Sequence, residues 1–259
     1  MALNLVLDIG GTRLKWAWHL GHEVHSTGAA LWADAEAQLT SERLQLEAEL
    51  GHPLSRAARL ARPWPPAGDA FPERALSRIL GVALEEVDPI ARAPFDIGYT
   101  SGQPGADRIA AAAACHGEDP DGSFILIDAG TCVTVDLLSP GRWRGGAILP
   151  GLSLQARAMA HAGLPVITPL SDGRWNWNPS PDGALGTDTR SAIEAGIPRA
   201  LSLAVKQTVR DLMTLDPRAQ IRLTGGDALH FEGLGGWRTF ADPNLVLTGT
   251  ALLLNAPSE

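Results

Sequence analysis

With 259 residues and 45% hydrophobic content, the chain has room for two compact halves of roughly 120 residues, each with its own core. A formal charge of −8 argues against sequence-independent nucleic-acid binding, which needs a basic face, yet a few local donors could still hold a phosphorylated ligand. Cys115 and Cys132 form neither a disulfide framework nor a zinc spacing and read as small buried hydrophobes. No apolar stretch reaches membrane-spanning length, and no charged leader precedes the first strand. A cytoplasmic protein with no membrane and no nucleic-acid partner is therefore expected.

In chain order, residues 5–9 read as a buried strand and Arg13–Leu20 as its antiparallel return, with Trp16, Trp18 and Leu20 alternating toward one apolar face. Gly21-His22 turns the chain into a third strand. His19, His22 and His25 are spaced like ligands only if helical; on a hairpin they read as exposed histidines. The alanine-, arginine- and proline-rich stretch 34–80 predicts helices at Ser41–Leu50 and Pro72–Leu80, with Arg56, Arg59 and Arg62 on a solvated helix face. Gly105-Ala-Asp-Arg108 opens a run of helix formers, Ile109–Cys115, which puts Asp107 at a helix N-terminus, where this residue type serves as a cap. Phe124–Asp136 is a second strand-turn-strand, and a helix is expected over Ser153–His161. Arg174–Pro181 is a loop whose tryptophans pack either at a subunit interface or on their own half. Ser191–Glu194 matches a capping box, and Pro198–Leu215 predicts an amphipathic helix with Leu201, Val205, Val209 and Leu212 on related faces. Ile221–Asp227 is a third strand running into glycines. Periodicity leaves Asn244–Leu254 open between strand and helix.

The repetition carries the most information. Leu5–Lys15 and Phe124–Asp136 each run from an apolar strand through Asp and glycine to Thr. Gly10, Gly11 and Gly130 let backbone N–H groups approach an anion, Thr12 and Thr131 add hydroxyl donors, and Asp8 can hold a divalent cation through oxygen. A repeated supersecondary unit implies duplication. The expected fold is α/β: two duplicated RNase H-like halves, 1–116 and 117–259, around a nucleotide cleft.

Three strand-then-glycine turns in this order resemble the sugar kinase/actin/heat-shock ATPase superfamily, in which the first two turns grip phosphates and the third borders the adenosine. Within it, the chain resembles the type III pantothenate kinases. The motifs that carry the resemblance are Asp8–Lys15, Tyr99 followed by Gly105–Arg108, Asp128–Asp136, Gly145–Gly151, Leu164-Pro165, Gly186–Thr189 and Thr224–Asp227. Of these, the GxDR and GGxIxPG boxes are the most selective. The chain departs from the family at Gly11, where Asn is usual, and at His161-Ala162, where Thr-Ala is common. The resemblance implies ATP-dependent phosphorylation of pantothenate to 4'-phosphopantothenate, the first step toward coenzyme A. It assigns Asp107 as the catalytic carboxylate and Asp8, Ile9, Gly10, Gly11, Thr12, Arg13, Leu14, Lys15 and Thr131 to ATP. Tyr99, Gly105, Ala106, Asp107, Arg108 and Thr189 fall to pantothenate. Asp8 would organise Mg2+, and Asp128 a monovalent cation, K+ or NH4+. The family is dimeric, with pantothenate buried at the subunit interface. Two alternatives share the fold. One is a ROK-type sugar kinase, whose cysteine-rich zinc motif and Glu-x-Gly-His segment are absent here. The other is a non-catalytic accessory protein, against which the retention of Asp8, Asp107, Arg108, Asp128 and Thr131 argues.

Overall fold

The computed structural model describes residues 2–9, 13–21, 23–61, 73–170, 175–176 and 181–256. Packing divides the chain into two units. The first comprises Met1–Pro120 and Asn244–Glu259, the second Asp121–Pro243.

In the first unit, β1 (Leu3–Ile9), β2 (Arg13–Leu20) and β3 (Glu23–Leu31) form an antiparallel meander. Gly21 makes the second turn in the left-handed region at φ 66°, which costs a residue without Cβ nothing. α1 (Trp32–Leu50), β4 (Leu54–Leu60), α2 (Glu73–Leu80), β5 (Leu84–Val87), the two-residue β6 (Asp96–Ile97) and α3 (Ala106–Glu118) follow. β4 pairs parallel with β1, and β5 parallel with β4, giving the order β3-β2-β1-β4-β5.

Leu3, Leu5, Leu7, Leu14, Trp16 and Trp18 pack against Leu39 and Leu46 of α1 and Leu76 and Leu80 of α2. On the same sheet face, Gly28 stands opposite Trp16 in register, where a Cβ would run into the indole. The other face is covered too, since Val6, Ala17 and Ala58 are also fully buried. Double coverage corrects the histidine reading. His19 alternates with Trp18 onto the second face and is 4% exposed, whereas His25 is exposed; His22 lies outside the described residues. The basic stretch is corrected as well. Arg56 and Arg59 lie on strand β4 and pair with β5, Arg56 with Glu85 at 2.7 Å and Arg59 with Glu86 at 2.6 Å. Arg62 and Pro72 fall outside the described residues.

The second unit repeats the plan. β7 (Phe124–Ala129), β8 (Cys132–Ser139) and β9 (Arg142–Pro150) form the meander; α4 (Leu152–His161) and α5 (Thr189–Leu215) follow. β10 (Gln220–Thr224) pairs parallel with β7, and β11 (Thr239–Ala241) parallel with β10. Among this unit's own strands the order β11-β10-β7-β8-β9 matches that of the first sheet strand for strand, so both units are RNase H-like. Its core joins Ile125, Ile127, Val133 and Val135 to Leu201, Val205 and Val209 of α5. α5 begins earlier than its sequence suggests. The capping box is Asp188 with Ser191: Asp188 Oδ1 accepts the Ser191 N–H at 2.9 Å, and Ser191 Oγ accepts the Asp188 N–H at 3.1 Å. Pro198 sits inside this helix. Cys115 is buried as expected, but Cys132, at the start of β8, is exposed.

α6 (Leu245–Asn255) settles the last ambiguous segment as a helix, and it packs in the first unit against α3. Among the described residues, no helix is long and apolar enough to cross a membrane.

Candidate active site

Candidate residues occur in both units. In the first, α3 opens with Gly105 as its N-cap residue, extended at φ −59° and ψ 135°. A Cβ at Gly105 would lie 2.6 Å from Asp107 Oδ1, so the glycine keeps the approach to that carboxylate open. Asp107 is exposed in the first turn, and its Oδ1 accepts the Arg108 N–H at 2.8 Å. It is therefore not the N-cap residue, although it does satisfy one of the first-turn donors. Arg108 is turned inward at 5% exposure, and its Nη1 donates to the Tyr99 hydroxyl at 2.7 Å. The guanidinium also stands 5.7 Å from the Tyr99 ring centroid. Ala106 is buried beneath. The structure thus brings Tyr99, Gly105, Ala106, Asp107 and Arg108 together. The sequence motifs assign Arg108 and Tyr99 separately to substrate; the fold bonds them directly to each other.

At the first turn, Asp8 is half-buried near the end of β1 and pairs in register with Lys15. Ile9 and Leu14 face each other across the ladder with their side chains in the core, so only their backbones are available to a ligand. Gly10, Gly11 and Thr12 lie outside the described residues, and Arg13 begins β2.

The second turn links β7 to β8. Asp128 is half-buried and Thr131 exposed. The Gly130 N–H donates to the Cys132 carbonyl at 3.0 Å, and the Gly151 N–H to the Thr131 carbonyl at 3.0 Å. A Cβ on Gly151 would strike the Gly130 and Thr131 carbonyl oxygens, so the chain entering α4 lies directly on this turn. The third turn abuts it as well. Gly225, at φ 97°, lies so close to Ala129 that a side chain would collide with its backbone, and the Asp227 N–H donates to the Ala129 carbonyl at 2.9 Å. Burial pushes the Asp227 carboxyl up, opposed by the Trp175 indole N–H at 3.4 Å. Burial lowers the neighbouring His230, against the pull of Asp227. Trp175 is buried in the core of its own unit, and Trp177 lies outside the described residues. Thr189 is the exposed first residue of α5. The buttressing by Gly151 and Gly225 was not read from the sequence. The only signal was glycine itself, which equally marks an ordinary turn.

Among the described residues, no three His, Cys, Asp or Glu side chains gather as a metal cage. Asp8 nevertheless fits a small hard cation, since Mg2+ is commonly held by one or two carboxylates with water and substrate phosphate oxygens. Asp128 offers the same hard-oxygen chemistry beside the second turn.

The model of the type III pantothenate kinase family matches residues 4–211 of the chain. A type III pantothenate kinase of Alkalilimnicola ehrlichii is 33% identical over 263 residues, covering 96% of each chain. One from Laribacter hongkongensis is 32% identical over 263 residues, covering 96% of this chain and 97% of its own. Among solved structures, a conserved putative Baf family transcriptional activator from Campylobacter jejuni superposes with a TM-score of 0.56 at 17% identity, covering 96% of each chain. That last likeness is one of fold.

Proposed function

The chain belongs to the type III pantothenate kinase family, and on that premise we propose that it transfers the ATP γ-phosphoryl group to the primary hydroxyl of pantothenate, with Asp107 accepting the hydroxyl proton. It is a kinase, an enzyme using ATP with a divalent metal. The pantothenate oxygen forms its bond to the γ-phosphorus as the bond from that phosphorus to the β–γ bridging oxygen breaks. ADP leaves, and the proton passes to the Asp107 carboxylate. Such transfers depend on positioning and on stabilising charge more than on covalent chemistry by the protein.

The observation that carries the reading is the exposed Asp107 carboxylate, oriented by the Arg108 N–H beside a buried Arg108 clasped to Tyr99. Tyr99, Gly105, Ala106, Arg108 and Thr189 hold pantothenate. Backbone and side-chain donors of Ile9 to Lys15, with Thr131, contact the ATP phosphates. Asp8 would hold Mg2+, which supplies charge neutralisation at the phosphates when bound. Asp128 would hold K+ or NH4+. The enzyme acts as a homodimer in the cytoplasm.

Asp107→Asn tests the reading. Asn keeps a side-chain oxygen that can accept the Arg108 N–H but is a very poor base. We expect a stable protein that still binds pantothenate, with kcat down ~10²-fold or more. ADP release is measured with pantothenate and, separately, with glucose. Near-wild-type kcat in Asp107→Asn with both substrates saturating would remove Asp107 from the chemistry. Turnover with glucose alone would assign the chain to sugar phosphorylation.

A further inference from the structure

α6 comes from the far end of the chain and lies outside the residues matched by the family model, yet it packs against α3, whose first turn carries Asp107. Backbone meets backbone at this contact. A Cβ on Gly249 would run into the Ala110 carbonyl oxygen and carbon, so Gly249 sets how closely the helices approach. Ala110 to Ala114 of α3 are all small and buried, as such an approach demands. Farther along α3, a Cβ on Gly117 would lie 2.7 Å from Leu252 Cδ1, a side-chain terminus that can turn aside. The C-terminal end of α6 is held as well, because Arg92 Nη1 donates to the Leu253 and Leu254 carbonyls at 3.1 Å each. Within the helix, Thr250 Oγ1 donates to the Val246 carbonyl at 2.7 Å.

Ala110 is three residues from Asp107, about 4.5 Å of helix rise, so a shift forced at Ala110 is carried to the first turn. We propose that α6 is a positioning element for phosphoryl transfer: the Gly249–Ala110 contact, held by Arg92, sets the depth of α3 and hence the place of the Asp107 carboxylate. This rests on the assignment of Asp107 as proton acceptor. Misplacing a reacting group by 1 Å through a distant change can cost about 10²-fold in rate, so a steric push at Gly249 should register in kcat.

The test compares Gly249→Ala with Gly117→Ala in the full-length enzyme, with Asp107→Asn as reference. For each, kcat, both KM values, melting temperature and pantothenate-binding stoichiometry are measured. Stoichiometry separates misplacement of Asp107 from a mere loss of folded molecules. Gly249→Ala is expected to bind one pantothenate per chain with KM values within about 3-fold of wild type and kcat reduced about 10-fold or more. Gly117→Ala should keep wild-type kcat. Wild-type kcat in a folded Gly249→Ala, or an equal loss in Gly117→Ala, overturns the proposal. Should Gly249→Ala not fold, Arg92→Ala and Arg92→Lys decide: Arg92→Ala should lower kcat several-fold at full stoichiometry, and Lys, which keeps a cationic donor, should restore part of it. Unchanged kcat in Arg92→Ala counts against the proposal. An active Asp107→Asn removes the base itself, and the proposal with it. An inactive Asp107→Asn alongside undiminished α6 variants removes only the positioning.

Discussion

At the residue scale, burial separates two neighbours with opposite duties. Arg108 is 5% exposed and gives a guanidinium N–H to Tyr99, while Asp107 beside it faces solvent. Helix periodicity produces the split, since adjacent positions on a helix point in different directions. His19 makes the opposite point, because it has no catalytic assignment and yet is buried. Its Nε2 has no hydrogen-bond partner among the described residues, and neither does Oδ1 of Asn4, its register partner on β1. Burial lowers the His19 pKa from the ordinary 6.5. Above that value the imidazole is neutral whether the chain is folded or not, and it adds no pH dependence. As pH falls below 6.5 the unfolded chain takes up the proton first, so stability is lost progressively down through the folded-state pKa. We expect urea midpoints to fall over that range and His19→Leu to flatten the fall. His230, also lowered by burial, will leave a residual slope. An unchanged slope in His19→Leu would show that His19 does not titrate in this way. The alternation of β2 was legible; His19's burial was not, because it depends on what covers the second face of the sheet.

At the element scale, α1 is locked to β2 through one carboxylate oxygen. Glu42 Oε2 accepts both the Trp16 and Trp18 indole N–H groups, at 2.6 and 2.9 Å, and both tryptophans are fully buried. Glu42→Leu leaves two buried donors without an acceptor, each costing about 1–3 kcal/mol. Glu42→Gln keeps an oxygen in place and should cost less. Denaturant unfolding of the two variants checks this; equal stability would mean that the indoles find other partners. The sequence announces the tryptophan stripe but not its acceptor, which is 24 residues away from the nearer indole. β4 was missed for a related reason. Arg56 to Leu60 has an alanine- and arginine-rich, helix-like composition and becomes a strand because β1 and β5 pair with it on either side.

At the scale of the whole molecule, the two units share strand order and connectivity, the physical trace of the repeated strand-Asp-Gly-Thr unit. The second unit leaves Met159, Leu164, Val166 and Leu170 exposed between 37% and 62%, in the end of α4 and the segment after it. They are near one another in the chain, and exposed apolar side chains are what the proposed homodimer would cover. Sedimentation should find a dimer at working concentration, with activity falling on dilution below its dissociation constant. A fully active monomer would contradict this.

The order of strands in each meander, the start of α3 at the GxDR box, the glycine turns and the family were decided by short stretches of chain. Each depends on local conformation or on residue types at fixed spacing. The tertiary structure alone decided that Asn244–Leu254 is a helix and that it packs in the first unit. An apolar run carries no record of its partner, and the complementary feature, the small buried face of α3, begins more than a hundred residues earlier. The same holds for Gly151 and Gly225. Their glycines are visible in the sequence, but the backbone each presses against lies elsewhere in the chain, in the turn after β7 for Gly151 and at the end of β7 for Gly225. Local propensity is written residue by residue, whereas close packing is a property of pairs that meet only once the chain has folded.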